Sequence, residues 1–183
     1  MTYYYGTSKS DLKDLKTTSM ENGRIYLTTN RMCALVNAAK TYIDLFINKN
    51  FDYKEYTYFN ICENLFEKIY KDKIGYIYSI EANENDFYCD VPDGIKPIMD
   101  SYYTLKDVTF TKKEKVNIYE EFLKLKERGN FSITEKNNIP KKYLEDTKRY
   151  YKNKYNNNYM TKDEIEFFNK YIPDLLDLKW IYN

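Results

Sequence analysis

Two short apolar runs open the chain. Thr2 to Tyr5 alternates as a strand and breaks at Gly6 into a polar turn, Thr7-Ser8-Lys9-Ser10, and Ile25-Tyr26-Leu27-Thr28 follows Gly23 as a second strand. The second strand stops at Thr29-Asn30, where Asn30 is a good N-cap for a helix beginning at Arg31. Cys33, Leu35, Val36, Ala39, Tyr42, Ile43, Phe46 and Ile47 keep helical spacing and predict that this helix runs from Arg31 to Ile47. Its small residues Ala34, Ala38 and Ala39 would let it lie close on a sheet. Between the two strands, Leu12 and Leu15 are spaced for a short helical turn.

Further along, Phe51 to Phe59 reads as a strand, Ile61 to Tyr70 as a helix, and Ile74 to Ala82 as the clearest strand of the middle section. Asn83 to Asp86 predicts a hairpin turn pairing that strand with Phe87 to Val91. Pro92-Asp93-Gly94 reads as a turn, and Ser101 to Phe110 as extended with Tyr103, Leu105 and Val108 inward. Lys112 to Arg128 predicts one amphipathic helix stopped by Gly129. Lys141 to Tyr155 and Thr161 to Tyr171 follow as helices, the second opened by the capping box Thr161-Lys162-Asp163-Glu164. The order of elements predicts an α+β fold in a single domain, with a sheet-containing core over 1–130 and a mostly helical region over 131–183.

Composition narrows the function classes. In 183 residues, 43% hydrophobic and 31% charged describe a globular chain able to bury a core without metals or disulfides. Lys and Arg number 29 against 28 Asp and Glu, so the net charge near +1 argues against a strongly electrostatic nucleic-acid binder, local patches aside. The basic and aromatic run from Lys141 to Tyr155 reads as a solvated helix whose tyrosines pack on the domain, because Glu145 and Asp146 dilute its charge. Cys33, Cys62 and Cys89 are odd in number and widely spaced, which predicts neither a disulfide framework nor a metal site and suits a reducing cytoplasm. No apolar run is long enough to span a membrane, and the first residues lack the basic-then-apolar order of a secretory signal. No P-loop, G-x-S-x-G or H-E-x-x-H pattern appears.

The candidate chemistry lies in the first two strands and the helix after them. Gly6 allows a flat ligand to approach its backbone, and the helix start at the Thr28-Thr29-Asn30 corner would favour a phosphate or carboxyl group. Tyr5-Gly6-Thr7, then Gly23-Arg24-Ile25-Tyr26 leading into a helix, resembles the nicotinamide-binding half of the ADP-ribosyltransferase superfamily, the diphtheria-toxin and poly-ADP-ribose-polymerase branch. That family opens with His-Gly-Thr, supplies a Tyr from the second strand and a Glu from a late strand. The resemblance implies a split antiparallel sheet with covering helices, and NAD or a related nucleotide as ligand. It also implies that Gly6 holds the nicotinamide amide by its backbone, Thr7 supports the turn, Tyr26 stacks on the ring and Tyr5 bonds a ribose hydroxyl where the family has His. Thr28 and Asn30 would complete the nucleotide site. At the late strand Ser101 stands in the carboxylate position, with Asp100 beside it as the candidate acid and Glu81 and Glu84 as substitutes. The chain has no His. Two readings follow: a divergent NAD-dependent transferase, or an interaction protein of a mobile element or defence system that keeps the fold, has lost the chemistry and binds a protein partner.

Overall fold

The computed structural model describes residues 1–49, 54–89 and 101–176. In chain order the elements are β1 (Thr2–Thr7), β2 (Asp14–Leu15), β3 (Ile25–Leu27), α1 (Arg31–Ala39), β4 (Phe46–Asn48), β5 (Tyr56–Asn60), α2 (Leu65–Tyr70), β6 (Ile74–Glu81), β7 (Tyr88–Cys89), β8 (Tyr102–Thr104), β9 (Val108–Thr109), β10 (Lys112–Asn117), α3 (Ile118–Glu127), β11 (Phe131–Glu135), α4 (Lys141–Asn156), α5 (Lys162–Tyr171) and α6 (Pro173–Leu176). Short 3₁₀ turns fill several of the connections. The fold is α+β, and no described helix is long and apolar enough to cross a membrane.

β6 is flanked by β1 and β10, both antiparallel to it, while β3, β8 and β7 form a second antiparallel set. Tyr4 and Thr28 join the two sets by exchanging backbone hydrogen bonds of 2.7 and 3.0 Å. β5 carries β4 antiparallel on one side and β11 parallel on the other. α1 lies against β1 and β6 through Ala34, Leu35 and Ala38. Alternation divides the packing. Tyr4 reaches the large cluster that holds Leu35, Phe66, Phe122 and Phe168, whereas Tyr3 lies in a smaller one with Leu15, Ile25, Leu27, Ile80 and Val108. The aromatic residues fill the larger core: Phe46 stacks on Phe122 at 5.0 Å, and Phe122 meets Phe131 at 4.6 Å. α4, α5 and α6 pack on that same cluster through Leu144, Phe168 and Leu175.

Several elements differ from the sequence expectation. α1 ends at Ala39, not Ile47. Lys73 Nζ donates to the carbonyls of Ala39 and Lys40 at 3.2 and 3.0 Å, the Thr41 hydroxyl bonds Ile43 O, and Phe46–Asn48 leaves to pair with β5. Lys112–Asn117 is a strand, because the open edge of β6 accepts it; Asn117 then caps α3 through Glu120 N–H, and the helix stops before Gly129 at φ +77. β7 pairs with β8, so the hairpin expected with the preceding strand is absent among the described residues. Leu105 is exposed where an inward position was expected, and the buried residue is Thr104. Leu15 enters a two-residue strand with Val108, not a helical turn. The capping box at Thr161 and Glu164 is formed as the sequence predicts. The predicted turn at Pro92-Asp93-Gly94 lies outside the described residues.

Candidate functional site

The seam between β1 and β3 is short. Tyr4 and Thr28 hold it, and past this point the strands part. A cleft of about 820 Å³ opens there, walled by β1 from Tyr4 to Ser8, by Tyr26 to Thr28, and by α1, with Ser101 at its border. Hydrogen-bonding groups alternate along an antiparallel strand, so Gly6 N–H and C=O turn the same way as those of Tyr4, toward the opening. The backbone edge of Gly6 therefore faces the cleft.

Gly6 also has a packing reason to be glycine. A Cβ on it would stand 1.6 Å from Ala34 O and 2.9 Å from Ala38 N, so α1 sits directly on the backbone of β1. The strand does not break at Gly6 as the sequence suggested but pairs with β6 through Thr7, whose hydroxyl accepts the Lys9 N–H at 3.2 Å and braces the turn that follows. Tyr26 alternates with buried Ile25 and Leu27, leaving it 42% exposed, with its ring 6.0 Å from Tyr103. Extended from the Tyr4–Thr28 bridge, the pleat puts Tyr26 on the face of Gly6 and α1. Tyr5 projects to the other face, where its ring lies on Phe110 at 5.9 Å. Tyr5 and Tyr26 thus point to opposite faces of the sheet, which corrects the expectation that the two side chains serve one ligand together: the Tyr5 ring is on Phe110, not beside Tyr26.

Thr28 is buried, and its hydroxyl accepts the Asn30 N–H at 3.0 Å. Asn30 Oδ1 caps Met32 N–H at 2.9 Å, so its oxygen serves the helix start. That start holds Arg31 between Glu114, at 2.5 Å, and Glu121, at 3.1 Å; Glu114 foremost keeps the guanidinium charged. It is thus the flank of α1, through Cys33, Val36, Asn37 and Lys40, that meets the cleft. Asp100 lies outside the described residues, next to the cleft-lining Ser101. Glu81 accepts from Thr2 Oγ1 at 2.6 Å, at the far end of β1, and Glu84 is exposed in a 3₁₀ turn; neither lines the cleft.

Asp44 lines it and was not singled out by sequence. Its Oδ1 accepts Phe46 N–H at 3.2 Å, in the segment expected to continue the helix, so nothing in the pattern marked it. Asn37 and Lys40, by contrast, share a helical face with Cys33 at i+4 and i+7, a spacing visible in the sequence. No cluster of His, Cys, Asp or Glu that could hold a metal ion occurs among the described residues. The chain matches no protein-family model, no curated protein and no solved structure.

Proposed function

We propose that the chain is a divergent ADP-ribosyltransferase-like protein that binds NAD or a related nucleotide in the cleft between β1, β3 and α1. The observation that carries this reading is the parting of β1 and β3 at Tyr4–Thr28, which leaves the Gly6 backbone edge and the Tyr26 ring on one cleft. An adjacent backbone N–H and C=O match the acceptor and donor of a primary amide, and an exposed Tyr face supplies stacking. A cleft of about 820 Å³ is of the size class that holds a nucleotide. Lys40 at its edge offers a cation for a phosphate, and the braced turn at Thr7 keeps Gly6 in place. Bound NAD would supply a glycosidic bond whose cleavage builds positive charge, and the residues' part is to orient it and place a carboxylate nearby. Asp100 is the acid we assign, with Ser101 beside it.

One observation favours the alternative, an interaction protein without catalysis. Tyr5, which stands in place of the family's His, commits its ring to Phe110. The binding reading is tested by calorimetry of wild type and Tyr26→Ala with NAD and with nicotinamide. Binding to wild type that weakens in the variant supports it; no heat and no thermal shift at millimolar ligand removes it.

A further inference from the structure

Beyond the cleft, the surface continues as a groove. A hollow of about 460 Å³ shares Ser8 and Lys40 with the cleft, and a second of about 550 Å³ shares Ile69, Lys73 and Tyr171 with the first. We propose that this groove, from Lys40 past Tyr42 and Tyr171 to Lys68 and Lys170, binds single-stranded nucleic acid. The groove meets the cleft only at Ser8 and Lys40, and its remaining cations and rings lie outside the cleft lining.

The charge is concentrated here despite a net charge near +1 for the chain. Lys40, Lys68, Lys73 and Lys170 line the two hollows with Asp72 as the lone acid among their described lining residues. Lys40, Lys68 and Lys170 are exposed and form no ion pair among the described residues, whereas Lys71, Lys106, Lys124 and Lys154 each pair with a carboxylate. Lys73 Nζ is fixed by the Ala39 and Lys40 carbonyls.

Aromatic side chains line the same hollows. Tyr42 is 43% exposed, braced edge-on by Phe167 at 5.4 Å, and its carbonyl accepts the Tyr151 hydroxyl at 3.2 Å. Tyr171 also meets Phe167, at 5.0 Å, with Lys170 Nζ 4.8 Å from its ring. Cations and held rings lining one groove suit a strand of phosphates and bases. An acidic peptide would use the cations and leave the rings without a flat partner.

The test is fluorescence anisotropy of labelled oligo-dT and oligo-rU with the full chain and no NAD. Binding at low salt is expected, with a log–log salt slope of about −2 if the exposed Lys40, Lys68 and Lys170 each neutralise a phosphate, at roughly −0.7 apiece, Lys73 being held by the Ala39 and Lys40 carbonyls. Lys68→Glu with Lys170→Glu should weaken binding about tenfold or more, and Tyr42→Ala about fivefold or more. Lys126→Glu with Lys141→Glu changes the charge equally outside the groove and should leave affinity within about twofold. Circular dichroism checks that each variant folds. No anisotropy change with wild type, or equal loss in the Lys126/Lys141 control, overturns the proposal. So does competition by poly-glutamate as strong as that by oligo-dT, which would assign the groove to acidic polypeptide, or equal affinity for duplex DNA.

Discussion

The carbonyl of Ala34 occupies the space that a side chain on Gly6 would need, at 1.6 Å from the ideal Cβ position. The obstruction is helix backbone, so it cannot rotate aside. Gly6→Ala must push α1 off β1 and is expected to cost at least the 1–3 kcal/mol typical of overpacking. For a domain of this size each kcal/mol lowers Tm by about 2–4 °C. A thermal melt by circular dichroism reads this directly, and an unchanged Tm would mean that the helix does not sit where described.

The same contact shows how far the sequence was legible. Ala34 and Ala38 were visible as small residues that let the helix lie close on a sheet, whereas Gly6, read as a bend and a ligand approach, is the backbone they pack on. Asn30 and Thr161 announced their helices because a cap is local chemistry, settled within four residues. The end of α1 was hidden because Tyr42, Ile43, Phe46 and Ile47 continue a helical period, while what ends the helix is Lys73, distant in sequence, together with a strand partner at Tyr56–Tyr58. Lys112 to Lys115 carry no apolar period of their own, so only the open edge of β6 decides that they are extended. For the site, Gly6 and Tyr26 line one cleft as the sequence suggested, but the direction of Tyr5 relative to Tyr26 depended on a register that no local signal fixes.

Tyr26 offers a separable test of ligand and fold. Its ring contacts Tyr103 across the strands at 6.0 Å, a pair worth about 0.2–1 kcal/mol. Tyr26→Ala should therefore cost little stability yet weaken nucleotide binding by about 1–3 kcal/mol, the scale of a lost stacking face. Tyr26→Phe keeps the face and should bind like wild type. Titration calorimetry on the three proteins, with melts alongside, checks the separation; equal losses in Ala and Phe variants would count against stacking.

Glu164 gives a pH prediction away from the cleft. Lys154 Nζ at 2.5 Å from Oε1, and then the Thr161 N–H at 2.7 Å from Oε2, hold its carboxyl below the usual carboxylate range. A depressed folded-state pKa means that the unfolded chain binds the proton first. The stabilisation is thus fully present above the ordinary Glu pKa of about 4.3 and is lost as pH falls through the lower folded value. Glu164→Gln should lower stability at pH 7 and flatten the acid limb of a urea-denaturation series run from pH 6 to 3. Thr161→Ala, which removes the other half of the cap, should cost about 0.5–2 kcal/mol at neutral pH. A Glu164→Gln series parallel to wild type would remove the linkage.

The acid of the proposed chemistry is the sharpest assignment to test. If the protein consumes NAD, Asp100→Asn keeps the side chain's shape and removes its charge, and the rate should fall by about two orders of magnitude or more, a few kcal/mol of barrier. Glu81→Gln should be nearly silent, because that carboxylate is bound to Thr2 at the far end of β1. Asp44 is the informative competitor, being a carboxylate on the cleft wall whose Oδ1 already accepts Phe46 N–H. Asp44→Asn should keep that backbone bond through its amide oxygen and leave turnover within a few-fold. The measurement is NAD consumption by the four proteins at saturating ligand, with binding followed in parallel. A rate unchanged in Asp100→Asn and lost in Asp44→Asn moves the acid to the loop after α1, whereas a wild type that binds NAD without consuming it leaves the cleft a binding site alone.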